Sequence, residues 1–225
     1  MRRVALHFDV ISPYSWIGFE LLHRHARIWN DQSVIIENKP TFLSGIMQGS
    51  GNKPPGVVPD KMMYMMRDLQ RINKFSQSKR SFWCSKFIVL VPINPISDPF
   101  TTLFKKGSTR AMRILTHLNQ SNPELVYPAA TQIWHKIWQF DLDITDLDVL
   151  NDALKKAGLD DAQIEEAFAR SLDKDIKDVL KSVTQEGLDA GMFGAPSYIL
   201  RQDGQDDKLF FGQGINFSRG QVSGI

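Results

Sequence analysis

The opening of the chain places a helical pattern between two apolar runs. Residues 4–10 form a short run suited to a strand, and residues 34–37 form another. Between them, Ser12-Pro13 is a helix-start signal, because proline is tolerated in the first turn of a helix. The apolar residues that follow at helix spacing are Trp16, Phe19, Leu22 and Ala26. The order strand, helix, strand predicts a parallel βαβ unit with a right-handed crossover.

Helical patterns dominate residues 107–190. One apolar stripe with helix spacing consists of Ile133, Trp134, Ile137 and Trp138. This stripe predicts a helix face that packs into the hydrophobic core. Thr145 is predicted to cap a helix that ends near Lys156. Asp160 and Gln163 have the spacing of a capping box at the start of the next helix.

The strand pattern returns near the end of the chain. Residues 196–200 and 208–212 are strand-like, and Asp203-Gly204 between them marks a turn. We therefore predict an α/β fold in which one sheet is interrupted by a helical insert. The predicted boundaries are 1–45 with 191–225 for the discontinuous sheet domain and 46–190 for the all-α helical domain.

Composition excludes several classes of function. The 225 residues carry a formal net charge of +2 with both signs scattered, which is too little to predict a nucleic-acid partner. No apolar run approaches the roughly 20 residues that span a bilayer, so no membrane partner is expected. The single cysteine, Cys84, allows neither an intrachain disulfide nor a CxxC redox pair. The five histidines show no metal-ligand spacing, so we expect no metal site.

The strongest candidate for chemistry is Ser12-Pro13-Tyr14-Ser15, where a parallel strand leads into a helix. Backbone N–H groups at a helix start are unpaired, and the helix dipole there favours negative charge. Thioredoxin-like redox proteins place a CxxC at this junction, but serines occupy both positions here. A serine hydroxyl cannot exchange disulfides, yet it donates a hydrogen bond to an anion such as the thiolate of a bound small molecule. The alternative interpretation is that Ser12 is only a helix N-cap.

Two further segments are candidates for ligand binding. A cis Ala195–Pro196 bond exposes the backbone N–H and C=O of Ala195 to an extended peptide. In the loop at 50–56, Asn52 offers an amide and Lys53 a charge. Each segment has an ordinary alternative, namely a trans bond before proline and a stiff surface loop.

Together these segments resemble kappa-class glutathione transferases, which belong to the DsbA-like thioredoxin family. The matching segments are FDVISPYSWIGFE at 8–20, GIM at 45–47, SGNKPPG at 50–56, KGS at 106–108, AMR at 111–113 and GMFGAP at 191–196. The similarity keeps its order over most of 4–212. Related bacterial 2-hydroxychromene-2-carboxylate isomerases share the opening serine, whereas the GNKPP loop points to the kappa class. The resemblance implies a thioredoxin-like βαβ…ββ domain interrupted by the helical insert.

The resemblance also implies a mechanism. Ser12, the catalytic residue, is expected to hydrogen-bond the sulfur of glutathione and favour its thiolate, which attacks a small hydrophobic electrophile such as an activated aryl halide. The other residues expected to bind glutathione are Pro13, Tyr14, Asn52, Ala195, Pro196, Gln213 and Gly214. Asn52 is expected to hold the glycyl end, and Ala195 to pair with the cysteinyl unit. Glutathione is then a co-substrate, and no further cofactor is expected.

Oligomeric state and compartment are expected from the same resemblance. Members of the family are homodimers found in mitochondria or peroxisomes, so both properties are expected here. The sequence shows no clear targeting signal, and a cytoplasmic location is an open alternative.

Two regions depart from the family pattern. Residues 76–90 look like an insertion, which we interpret as a retained intron or an error in the gene model. Near the C-terminus, Gly214 stands where the family has an aspartate that grips the γ-glutamyl end, whereas Gln213 keeps a hydrogen-bond donor. The last residues also lack the period of the family's final helix. These departures predict a weakened glutathione site.

Three functions follow from the sequence. The favoured one is a glutathione transferase. The alternatives are a glutathione-dependent isomerase of the 2-hydroxychromene-2-carboxylate type and a degenerate, non-catalytic thioredoxin-like domain. The altered C-terminus favours the last of these, and the serines at the redox positions argue against a dithiol oxidoreductase.

Overall fold

A computed structural model describes residues 2–29, 34–78 and 107–212 of the chain. The strands in these ranges are β1 (Arg2–Phe8), β2 (Val34–Pro40), β3 (Ser197–Gln202) and β4 (Lys208–Phe211). They form a four-stranded sheet in the order β2-β1-β3-β4. β1 is parallel to β2 and antiparallel to β3, and β4 is antiparallel to β3. The parallel unit at the start of the chain and the hairpin near its end therefore share one sheet, as predicted.

The helices in the described ranges are α1 (Pro13–Trp29), α2 (Leu43–Ser50), α3 (Pro59–Ser78), α4 (Thr109–Ser121), α5 (Val126–Trp134), α6 (Leu147–Lys156), α7 (Asp161–Arg170) and α8 (Lys174–Asp189). In the sequence, α1 comes between β1 and β2, and all the other helices come between β2 and β3. A π-helical turn, His135–Gln139, extends α5, and 3-10 turns occur at Pro55–Val57 and Pro123–Leu125. The predicted α/β fold class with a helical insert is confirmed. The domain boundaries at 45/46 and 190/191 stay predictions.

Aromatic rings join the inserted helices to the sheet. The ring of Phe8 in β1 lies 4.8 Å from that of Phe19 in α1 and 5.7 Å from that of Trp134 in α5, measured between centroids. Trp16 stacks on Trp134 at 6.3 Å. All four side chains are buried, so the predicted apolar stripe that contains Trp134 is core. The first turns of α1, which follow Ser12, are thereby held against both the sheet and the insert.

The helix caps agree with the sequence except in one place. Asp160 and Gln163 form the predicted capping box. Thr145, however, does not cap α6, so that prediction was wrong. Asp146 holds the N-cap position, and its carboxylate accepts the N–H of Asp148. Both residue types accept hydrogen bonds at this position, and the helix begins one residue later than the threonine signal indicated.

Several predictions lie outside the described residues. They concern Gln213, Gly214, Cys84 and the part of the 76–90 insertion beyond Ser78, where α3 ends. Within the described ranges, no helix is both long enough and apolar enough to cross a membrane. The same ranges contain no cluster of three or more side chains suited to hold a metal ion.

His7 is a buried base in the middle of the sheet. Its Nδ1 lies 2.9 Å from Oγ1 of Thr41. The Thr41 hydroxyl donates its own proton to the Lys39 carbonyl, so His7 is the donor in its bond with Thr41. Nε2 of His7 is buried with no hydrogen-bond partner. Burial lowers the pKa of His7 from 6.5 to about 4.

The protonation of His7 is expected to make stability depend on pH. The unfolded chain binds a proton at His7 below pH 6.5, and the folded chain does so only near pH 4. The free energy of unfolding therefore falls as the pH falls between these values. His7 accounts for about 2 kcal/mol of the loss in free energy of unfolding when the pH is lowered from about 7.5 to about 5.

A variant without the imidazole tests this assignment. His7→Asn keeps a donor toward Thr41 but does not titrate. When the pH is lowered from about 7.5 to about 5, the free energy of unfolding of this variant should therefore fall by about 2 kcal/mol less than that of the native chain. Urea unfolding of both proteins at the two pH values measures the difference. An identical loss in both proteins would contradict the lowered pKa of His7.

Candidate functional site

Ser12 occupies the junction between β1 and α1, and its hydroxyl has two partners. The hydroxyl oxygen accepts the N–H of Ser15 at 3.1 Å, as a helix N-cap does. The same hydroxyl donates to the carbonyl of Ala195, also at 3.1 Å, across 183 residues of chain. Ser12 therefore caps α1, as the ordinary interpretation holds, and also joins α1 to the segment before β3.

One cavity collects most of the predicted site residues. It has a volume of about 690 Å³, and the predicted residues on its wall are Ser12, Pro13, Tyr14, Asn52, Lys53 and Ala195. Pro196 lines a neighbouring cavity of about 500 Å³, whose wall shares Tyr14 and Ala195 with the first. The structure thus brings together three segments that are far apart in the sequence.

The segment before β3 and the 50–56 loop are tied to each other. The Ala195–Pro196 peptide bond is cis, one of the two forms considered from the sequence. Asn52 Nδ2 donates to the carbonyl of Phe193 at 2.8 Å. Asn52 therefore braces this side of the cavity in addition to lining it, a role that the sequence did not predict.

Tyr14 links the start of α1 to the insert. Its hydroxyl donates to Asp68 Oδ2 in α3 at 2.9 Å. Burial, together with the neighbouring Asp68 carboxylate, raises the pKa of Tyr14 well above its ordinary value. The phenol therefore stays protonated at neutral pH and forms part of the cavity wall without acting as a base.

Asp9 is a buried carboxylate beside the cavity that sequence reasoning missed. It is 1% exposed and accepts hydrogen bonds from Ile11 N at 3.0 Å, Leu43 N at 2.9 Å and Ser108 Oγ at 3.0 Å. Burial raises its pKa to about 6, and these hydrogen bonds act in the opposite direction. A charged residue inside the apolar run just before Ser12 was the available signal.

The charged side chains on the cavity wall are all cationic. Among the described residues, Lys53 and Lys61 line the cavity and no acidic side chain does. Sequence reasoning missed Lys61, because nothing in the pattern distinguishes it from other surface lysines. Two ammonium groups and the start of α1 together favour an anionic ligand.

An aromatic pair borders the same cavity. The rings of Phe193 and Phe211 lie 4.5 Å apart between centroids, and the two residues are 44% and 49% exposed. Met47 and Met65 add apolar surface to the wall. The cavity therefore combines a polar end at Ser12 with apolar sides.

Comparison with known proteins identifies the family of the chain. The model of the DsbA-like thioredoxin domain family matches residues 3–217. Glutathione S-transferase kappa 1 of Homo sapiens is 35% identical over 209 residues, which are 93% of this chain and 85% of that protein. The chain belongs to the kappa-class glutathione transferase family.

One further relative and one solved structure are also similar to the chain. The kappa-class chain is 29% identical to 2-hydroxychromene-2-carboxylate isomerase of Sphingobium xenophagum over 215 residues, 94% of this chain and 92% of that protein. The cytosolic disulfide reductase DsbM from Pseudomonas aeruginosa superposes with a TM-score of 0.63 at 13% identity, over 93% of this chain and 89% of that one. At that identity the likeness shows the fold alone.

In this kappa-class chain the Ser12 hydroxyl can exchange partners. A hydroxyl carries one proton, and Ser12 donates it to the Ala195 carbonyl. A sulfur anion placed at the start of α1 competes for that proton, and the Ala195 carbonyl then becomes an acceptor for an N–H of the ligand. The arrangement can replace one internal hydrogen bond with two bonds to a peptide that carries a thiolate.

Proposed function

We propose that the protein is a glutathione transferase that binds glutathione as its thiolate beside Ser12 and transfers it to small hydrophobic electrophiles. The observation that carries the proposal is the Ser12 hydroxyl, which lies at the N-cap of α1 in a cavity whose charged wall residues are Lys53 and Lys61. Family membership supports it, because the relative from Homo sapiens is named a glutathione S-transferase.

The proposed chemistry depends on the pKa of the bound thiol. A free thiol has a pKa near 8.5, and a shift to about 7 raises the thiolate fraction at neutral pH about 15-fold. The proton leaves to solvent before the chemical step. With an activated aryl chloride, the thiolate then forms a carbon–sulfur bond, the carbon–chlorine bond breaks, and chloride leaves.

The cavity is also suited to the peptide portion of glutathione. Its volume of about 690 Å³ lies within the usual range for small-molecule sites. Glutathione carries two carboxylates, and Lys53 and Lys61 supply two cations on the wall. The backbone of Ala195 provides a partner for the cysteinyl unit, and Asn52 for the glycyl end.

Calorimetry and a conjugation assay test the proposal. We expect saturable heat on titration with glutathione, and formation of a conjugate with an activated aryl chloride above the uncatalysed rate. No heat at millimolar glutathione would contradict transferase function and favour a non-catalytic domain.

Removal of one cavity lysine is expected to weaken glutathione binding. Lys61→Met keeps much of the side-chain length but removes the charge, so the Kd for glutathione should rise about 3- to 10-fold. Lys181→Met, at an exposed position in α8 away from the cavity, is the matched control and should leave the Kd unchanged. Equal Kd values for the two variants would contradict a role for the Lys61 charge.

The isomerase activity is a second candidate. The Sphingobium relative at 29% identity is named a 2-hydroxychromene-2-carboxylate isomerase. We infer that the proposed thiolate site would also serve a glutathione-dependent isomerisation of this kind. The two functions differ in their products. Conversion of a hydroxychromene carboxylate with glutathione regenerated, and without any conjugate from aryl chlorides, would favour the isomerase.

We also propose a homodimer located in mitochondria or peroxisomes, on the basis of the family resemblance. Light scattering after size-exclusion chromatography tests the dimer, and imaging of a tagged chain in cells tests the compartment. A monomeric mass or a purely cytoplasmic signal would contradict the respective proposal.

A further inference from the structure

Within the described ranges, each hydrogen bond to the Asp9 side chain comes from a segment that forms the wall of the 690 Å³ cavity. Ile11 and Leu43 donate their backbone N–H groups, and both residues line the cavity. Ser108 donates its hydroxyl and directly follows Gly107, another wall residue. One carboxylate therefore holds the loop before Ser12, the start of α2 and the start of α4 in a fixed arrangement.

No cation in the described ranges neutralises Asp9. Among the described residues, the titratable side chains on the cavity wall or close in sequence to Asp9 and its partners include those of His7, Tyr14, Glu20, Lys39, Lys53, Lys61, Arg110 and Arg113. None of them forms an ion pair with Asp9. His7 is neutral at physiological pH, Glu20 accepts from Tyr127, and Arg110 donates to Ser171.

The backbone connects Asp9 directly to the sulfur site. The Ser12 N–H donates to the main-chain carbonyl of Asp9 at 3.0 Å, so the residue that carries the carboxylate lies one turn of backbone before the residue that carries the hydroxyl. Two negative groups in a water-poor environment raise each other's pKa. A thiolate at Ser12 and the Asp9 carboxylate are therefore expected to be coupled.

We propose that Asp9 is a positioning residue of the sulfur site. Its carboxylate sets the shape of the cavity through the three hydrogen bonds that it accepts, here called tethers, and its buried negative charge disfavours the thiolate form of the bound peptide. Ser12 and the start of α1 attract the thiolate, and Asp9 limits that attraction. The working pH of the site is thus a balance between these groups. This inference rests on the proposed glutathione site.

Coupling between two charges is reciprocal, so it can be measured on the native chain. The Asp9 carboxyl is titrated by carbon-13 NMR in the absence of peptide, with glutathione, and with S-methylglutathione. The methylated peptide has the same backbone and carboxylates but cannot form a thiolate. We expect an Asp9 pKa of about 6 without peptide and a rise of about half a unit or more with glutathione only.

The possible results separate this inference from the proposed function. Binding of glutathione with no change in the Asp9 titration would overturn the inference alone, and so would equal shifts with both peptides. A chain that gives no binding heat with either peptide would overturn the proposed function and this inference with it.

Two variants separate the effect of the hydrogen bond from Ser108 from the effect of the negative charge on Asp9. Ser108→Ala removes one tether and leaves the carboxylate, so KM for glutathione should rise about 3-fold while the pH midpoint of conjugation stays unchanged. Asp9→Asn also removes the charge, so the midpoint should fall by about half a unit to one unit.

A purely structural role for Asp9 would change KM in both variants and the pH midpoint in neither. An unchanged midpoint in Asp9→Asn would therefore overturn the proposal. If that variant does not fold, the NMR titration of the native chain decides the question.

Discussion

Ser12→Ala is expected to lower kcat/KM for conjugation of glutathione to an activated aryl chloride about 15-fold at neutral pH. The hydroxyl is the proposed donor to the sulfur anion, and without it the pKa of the bound thiol returns toward its free value. The free energy of unfolding should fall by only about 1–2 kcal/mol, because one N-cap bond to Ser15 and one bond to Ala195 are lost.

The second serine of the same motif is the matched control. Ser15 is buried, and from the described residues its hydroxyl receives one long hydrogen bond of 3.5 Å, from the Asp9 N–H. Ser15→Ala should therefore keep kcat/KM within about 2-fold of the native value. Native turnover in Ser12→Ala, or equal losses in the two variants, would remove Ser12 from the mechanism.

Gly18→Ala is expected to destabilise the fold and weaken glutathione binding together. A Cβ at Gly18 would lie 2.2 Å from the hydroxyl oxygen of Tyr198 and 2.9 Å from Cγ of Pro196. Tyr198 is 1% exposed, so it has no space into which to retreat. The substitution should lower the free energy of unfolding by about 1–3 kcal/mol, although alanine is the better helix former by about 1 kcal/mol.

Binding is affected because Pro196 adjoins Ala195, the proposed backbone partner of glutathione. The Kd for glutathione should therefore rise in Gly18→Ala, as measured by calorimetry on the folded fraction. Gly49→Ala is a control in another helix, where the Cβ would meet the flexible end of Leu188. It should change the free energy of unfolding by less than about 1 kcal/mol. A stabilised Gly18→Ala would contradict the close contact with Tyr198.

Local sequence patterns were sufficient to predict the two elements that position Ser12. The apolar run before Ser12 and the spacing after it predicted β1 and α1, because each pattern lies within one segment. The stripe at Trp134 likewise predicted a core face. The position of Ser12 at a strand–helix junction needed only these two elements.

Contacts between distant segments could not be predicted in this way. Asp9 meets Leu43 and Ser108 across 34 and 99 residues, and Ser12 meets Ala195 across 183. No periodicity within a segment contains such pairings, which depend on how the insert packs on the sheet. The π-helical turn after α5 also lacked a local signal. Trp138 in this turn donates to the Val10 carbonyl at 3.4 Å, so that packing also reaches the serine loop.

The most direct test of the sulfur site is an ultraviolet titration of the glutathione thiolate bound to the native chain and to Ser12→Ala. We predict that the bound thiol has a pKa near 7 in the native chain, well below about 8.5 for a free thiol, and that the variant returns it toward the free value. A bound thiol that titrates like free glutathione in the native chain, or identically in both proteins, would contradict the role of Ser12.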